Sequence, residues 1–305
     1  MEKILQKIAN ILYVNTQNIN QTGVLDGLTG ITIFFYRYSR FSKIEDYNSF
    51  ADYLLDIMIE NINQMNPLEL LSFNWIIEYL IQHNFVEGDS NEVLEDVEKR
   101  IPLYYKHTDI DDDSVVFWGL FVLSRIKKGN RSNQQNIKYI KMILKGIEKQ
   151  LGMKKERSLS YLNSMLFCLL EIHEMHLFDF GKDKIIESKL LPAIINSLSK
   201  GNYDPNDLDT LLCFLEEYDM LQKKKLAHLI SGKTDLSTQN TIEYIIKRGW
   251  QNLLYFKEDK QEKWDMQLAE NFIEKILLDP YIDNLTINKG IAGLGMALLN
   301  TSQYD

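Results

Sequence analysis

Six charged side chains occupy related places in this chain. Asp26, Glu69, Asp207, Lys247, Arg248 and Lys289 each lie at, or directly before, the start of a hydrophobic run. If those runs are helices set side by side, the six charges gather at one pole. Carboxylates and cations would then form a mixed-charge pocket suited to a peptide or a small anion. Helix N-termini pointing at the same pole add partial positive charge. Asp26, Glu69 and Asp207 also admit acid–base work on a glycan, which needs two carboxyl groups at a defined separation. The bland alternative for each charge is a helix cap or a solvated rim.

Other chemistry-bearing residues are sparse. His173 and His176 form a His-x-x-His pair, the i, i+3 spacing that places two imidazoles on one helix face where they can share a metal. They sit at the far end of their hydrophobic run, and a solvated pair is the simpler reading. His83, His107 and His228 stand alone. Asp111, Asp112 and Asp113 precede a hydrophobic run, as acidic caps do, and lack the spacing of a calcium loop. Cys168 and Cys213 are the only cysteines, both within apolar runs, and read as buried free thiols in a reducing compartment. No phosphate-binding loop, dinucleotide fingerprint or nucleophile elbow is present.

The hydrophobic runs recur. Gly27-Leu-Thr-Gly30 opens one, and Gly290-Ile-Ala-Gly293 opens another near the opposite end of the chain. Weaker copies begin at Glu69, Val116, Tyr161, Asp207 and Gly249, at intervals of 41 to 47 residues. The fourth position is always small: Gly30, Ser72, Gly119, Ser164, Thr210, Asn252 and Gly293. Such a period accommodates two helices and two turns. Between the runs lie amphipathic stretches at 45–63, 91–105, 132–151, 183–200, 221–231 and 262–278, with 2–16 as the first. Over 135–147, Ile137, Ile140, Leu144 and Ile147 recur at helical spacing with lysines between.

The expectation is an all-α chain forming a single domain over 1–305. About seven helical hairpins would be arranged as an α/α toroid, apolar helices inside and amphipathic helices outside. A small fourth residue lets adjacent inner helices approach closely. An open solenoid needs polar caps at its ends. Here the best copies are the first and last, which favours closure and makes Asp26 and Lys289 neighbours across the seam.

The chain has 305 residues, 45% hydrophobic, enough for a sizeable core. Low Pro and Gly counts, five and 15, disfavour an all-β protein. A net charge of −9 argues against a nucleic-acid partner. The amphipathic start Met-Glu-Lys-Ile-Leu and the lack of any long apolar run point to a cytoplasmic protein without a membrane partner.

Gly23-Val-Leu-Asp-Gly27-Leu-Thr-Gly30-Ile and Asn288-Lys-Gly290-Ile-Ala-Gly293-Leu-Gly295 resemble the Gly-rich inner-helix starts of the lanthionine synthetase C-like (LanC-like) family. The stretch from Phe73 to Gln82 is similar to that family's second inner helix. The resemblance runs through nearly the whole chain and implies an α/α toroid. In the family, zinc activates a peptide thiolate that adds to a dehydrated Ser or Thr. The resemblance would put zinc ligands at Pro205, Lys247 and Arg248, and a catalytic His at Ser160. None of the first three is a zinc ligand, and two are cations. The expected protein is therefore a zinc-less LanC-like component of a peptide-modification pathway, without cofactor or catalytic residues, whose partner is a peptide or protein. The alternatives are a metal-independent carboxylate enzyme acting on glycans, a thioether cyclase with unconventional ligands, and a purely structural interaction module.

Overall fold

The structure, a computed structural model, describes residues 1–95, 112–127, 133–153, 155–175, 185–201, 203–217, 241–255, 264–278, 281 and 284–302. The described residues are helical, with no strand among them. Two compact units result: Met1–Ile101 with Ser237–Asp305, and Pro102–Leu236.

In the first unit the helices are α1 (Glu2–Asn15), α2 (Leu28–Ser42), α3 (Glu45–Glu60) and α4 (Pro67–Gln82). Helices α10 (Ile242–Tyr255), α11 (Met266–Leu278) and α12 (Ile291–Ser302) complete it. In the second unit they are α5 (Asp112–Lys127), α6 (Asn133–Gly152), α7 (Leu159–Glu174), α8 (Leu191–Lys200) and α9 (Pro205–Glu217).

The two helix classes differ as their sequences demand. Helix α1 buries Ile4, Leu5, Ile8, Ala9, Ile11 and Leu12, one face at helical spacing, and leaves its charges in water. Helix α11 likewise buries only Ala269, Ile273 and Ile276. Helix α2 instead buries every residue from Leu28 to Tyr36, and α7 nearly all from Leu159 to Ile172. A helix buried all round must be flanked on several sides. In the first unit α10, α12, α2 and α4 pack in that order, each against the next, with α11, α1 and α3 laid against them. In the second unit α5, α7 and α9 pack in sequence, backed by α6 and α8. The last apolar helix thus lies beside the first, as the placement of the best motif copies predicts.

The two best copies also share their atomic construction. Before α2, the Leu28 amide donates to Gln21 O at 2.9 Å, and the Thr29 hydroxyl donates to Thr22 O. Before α12, Ala292 N donates to Leu285 O at 3.3 Å and Gly293 N to Thr286 O at 3.4 Å. A Cβ on Gly27 would strike Gln21 and Gly23 backbone, and one on Gly290 would strike the corresponding Asn284 and Thr286. The two loops are joined directly, Asn288 N donating to Leu25 O at 2.8 Å. The side chain of Ile287 caps Gly30, where a Cβ would stand 2.7 Å from Cδ1. Ile246 covers Gly293 in the same manner, at 2.8 Å from Cγ2. Gly30 and Gly293 therefore each receive an aliphatic side chain from a neighbouring repeat.

One motif register is corrected. Gly249 does not open its helix, because α10 begins at Ile242. Thr241 supplies the cap: its Oγ1 accepts from Tyr244 N at 3.2 Å and its carbonyl from Ile245 N at 3.1 Å. Gly249 instead lies mid-helix against α12, where a Cβ would stand 2.8 Å from Ala297 N. Its small size serves helix–helix approach, the same local pattern for a different reason.

Candidate functional site

Five of the six predicted pole residues belong to the first unit, and Asp207 belongs to the second. Asp26 is exposed, and its carboxylate lies over Gly23 in the loop before α2. Lys289 is exposed in the equivalent loop before α12. The loops touch through backbone, but no ion pair within 4 Å joins Asp26 to Lys289 among the described residues.

Glu69 has a structural occupation. Asn66 Oδ1 accepts from Leu68 N at 2.9 Å and Glu69 N at 3.0 Å, while Glu69 accepts from Asn66 N at 2.8 Å. This reciprocal capping box starts α4, with Pro67 in the first turn. A carboxylate held by its own cap is poorly placed for acid–base work.

Lys247 and Arg248 are half-buried on α10 rather than preceding it, a consequence of the Thr241 cap. Asp207 is buried in the first turn of α9, and its carbonyl accepts from Asn163 Nδ2 at 2.6 Å. Pro205 is exposed as the first residue of α9, and Ser160 is half-buried in the first turn of α7.

His173 is half-buried near the end of α7, whereas His176, His107, His228 and Asp111 lie outside the described residues. Asp112 and Asp113 begin α5. No group of three or more metal-capable side chains occurs among the described residues. Cys168 is fully buried against Gly119, and burial pushes its thiol well above the ordinary range. Cys213 is half-buried, more accessible than its apolar sequence surroundings imply.

A set of buried polar groups lies outside the sequence expectations. Asn74 on α4 is fully buried, and neither its Oδ1 nor its Nδ2 has a hydrogen-bond partner among the described residues. The same holds for the indole N–H groups of Trp75 and Trp250 and for Asn300 Nδ2. All four sit on helices α4, α10 and α12. Leaving such a group unpaired costs about 1–3 kcal/mol. The sequence signal available was Asn74 and Asn300 interrupting otherwise apolar runs.

The second unit presents a cleft of about 610 Å³ where α6 ends, α7 begins and α8 ends. Its polar wall carries Lys155, Glu156, Arg157, Ser158, Asn196 and Lys200. Local structure sets each of them. Helix α6 closes at Met153, whose amide donates to Gln150 O at 3.2 Å. Arg157 turns back to that helix end, donating from Nη2 to Gln150 Oε1 at 2.6 Å. Its guanidinium lies 5.5 Å from the Tyr161 ring centre. Ser158 caps α7, accepting from Tyr161 N at 3.2 Å. A π-helical turn, Ile186–Leu190, precedes α8. Pro192 has no amide to continue the ordinary ladder there. Gly201, at φ 71°, then stops α8 so that Lys200 stands at its end. Lys200 pairs with Glu156 across the cleft mouth. The charged side chains of this wall are Lys155, Glu156, Arg157 and Lys200.

Among the described residues no helix is long and apolar enough to cross a membrane. No family model matches the chain, and no curated protein or solved structure matches it either.

Proposed function

We propose that this chain is a zinc-less relative of the LanC-like proteins, an α/α toroid that binds a peptide, or a peptide segment of a partner protein, without catalysing a reaction on it. The reading is supported by the partnerless polar atoms of Asn74, Trp75, Trp250 and Asn300, sited on α4, α10 and α12. A peptide backbone brings both donors and acceptors, and can satisfy an Asn amide that needs both. By the sequence resemblance Lys247 and Arg248 occupy the positions of the enzymes' Cys-His pair, and neither side chain is a usual zinc ligand. The pathway context, modification of a lanthipeptide-like natural product, rests on that resemblance.

The test couples stability to binding. Asn74→Leu removes an unpaired buried amide of similar volume. It is expected to raise the urea midpoint while weakening capture of a fluorescent degenerate peptide pool. Stabilisation with unchanged peptide binding would remove Asn74 from the site. Stoichiometric tightly bound zinc, measured by plasma mass spectrometry, would overturn the zinc-less assignment.

A further inference from the structure

We propose that the outer face of α1 and α3 in the first unit docks a cationic amphipathic helix of a different protein. None of its residues belongs to the peptide-binding reading, so the inference goes beyond that reading and is tested separately. Helices α1 and α3 run parallel. The Tyr47 hydroxyl donates to Asn10 Oδ1 at 3.2 Å, and three residues on in both helices the rings of Tyr13 and Phe50 stand 4.3 Å apart. Phe50 carries the contact on to Tyr53, 6.1 Å away. One aromatic row therefore crosses both helices. Its outer members are open to solvent, Tyr13 at 49% and Tyr53 at 51%, and Val14 beside Tyr13 is 70% exposed. Ile59, further along α3, is exposed as well. Large apolar side chains gathered in water mark a contact surface, and tyrosine is a favoured anchor residue in such surfaces.

Charge identifies the occupant. From Ile44 to Glu98 the chain holds thirteen Asp and Glu and no Lys or Arg, more negative charge than the −9 of the whole chain. On α3 this imbalance falls beside the aromatic row. Asp52, Asp56 and Glu60 are exposed at four-residue intervals, one stripe along the helix next to Tyr53. Asp52 accepts from Tyr36 and Asn48, whereas Asp56 and Glu60 form no ion pair among the described residues. Helix α1 carries no cation after Lys7. A partner that covers the aromatics must bring cations to this stripe, and Lys or Arg at the same four-residue spacing on a helix would match it. The apolar anchors supply the affinity. Exposed ion pairs add little to it and act on encounter rate and on partner choice. The same charge turns away nucleic acids and anionic membranes.

The experiment is fluorescence anisotropy of a short labelled peptide of Leu and Lys only, ordered as an amphipathic helix, titrated with the full chain at low and high salt. Saturable binding is expected, weakening as salt rises. Asp56→Lys with Glu60→Lys should weaken it about tenfold at low salt, and the difference should shrink at high salt. Tyr13→Ser with Tyr53→Ser should weaken it about tenfold at either salt. All four side chains are exposed. The charge reversal disturbs no packing, so it decides the matter even where the tyrosine pair lowers the melt. Asn74→Leu should leave binding unchanged, which separates this surface from the peptide site. An oligolysine of equal charge that binds as tightly, unchanged binding after charge reversal, or loss of binding in Asn74→Leu overturns the proposal. A concentration-dependent dimer in sedimentation, abolished by Asp56→Lys, also overturns it by making the occupant a second copy.

Discussion

Replacing Gly249 with Ala gives a test in which two physical effects oppose each other. In a solvent-exposed helix, Gly→Ala gains about 1 kcal/mol from backbone entropy alone. At Gly249 the new Cβ stands 2.8 Å from Ala297 N and 3.2 Å from Ala297 Cβ, with Gly293 O closer still. Ordinary contact begins near 3.4 Å. Two of these three obstacles are backbone atoms of α12, which no rotamer change can move, so α10 and α12 must separate by more than half an ångström. Overpacking of this sort costs about 1–3 kcal/mol, more when backbone must shift. The steric cost therefore outweighs the entropic gain, and a net loss of about 1–2 kcal/mol is expected. Urea denaturation followed by far-ultraviolet circular dichroism measures it. Gly152→Ala is the control, since nothing lies within 4 Å of that position and the residue ends α6. It should be neutral or slightly stabilising. If Gly249→Ala matches the control, the close approach of α10 to α12 is wrong.

Further measurements follow from other sites. Asn66→Ala, which dismantles the capping box of α4, should cost about 1 kcal/mol in the same melt. Cys168 should resist a thiol reagent in the native protein while Cys213 reacts first, and denaturant should equalise them. Stability should hold through neutral pH and fall above about pH 10. Burial pushes the Tyr38 phenol up to about 12 and that of Tyr36 higher, with Asp52 accepting the Tyr36 proton at 2.5 Å. The unfolded chain then loses protons that the native state retains. Each such phenol removes about 1.4 kcal/mol of stability per pH unit until its native value is reached. A flat midpoint from pH 8 to 11 would contradict the burial of these phenols.

Near-continuous apolarity made α2, α4, α7 and α12 readable as buried helices, because a helix without a polar face has nowhere to sit except between others. Amphipathic period marked α1, α3, α6 and α11 equally well. The sixth motif was misplaced because Gly-containing patterns serve two purposes: a tight turn before α2 and α12, and a close crossing within α10. Only the cap, Thr241, separates these cases, and a cap is one residue of signal. The chemistry was harder to read. Glu69 looked like a pole carboxylate, yet its partner Asn66 lies three residues earlier, the spacing of a capping box. The cleft of the second unit is not legible in the sequence because Lys155 and Arg157 come from one loop and Lys200 from a distant helix end. Separately, each resembles an ordinary surface cation. Their convergence depends on where α6 and α8 stop, and turns carry less periodic signal than helices.

The junction of the first and last apolar helices has a consequence for biosynthesis. The core around Phe34, Ile287 and Gly295 draws its side chains from nearly opposite regions of the chain. Residues Met1–Ile101 emerge early but cannot complete their unit until Ser237 and beyond have been made. The intervening unit, Pro102–Leu236, is continuous in sequence and can fold as it leaves the ribosome. The early helices α2 and α4 must therefore wait with apolar faces uncovered, for about ten seconds or more at ordinary elongation rates. That interval selects for helices that form locally and quickly, and for a final helix, Ile291–Ser302, that docks as a unit when it arrives. A nascent chain arrested before α12 should bind chaperones strongly, and release should coincide with synthesis of the Gly290–Gly295 segment rather than with any earlier landmark.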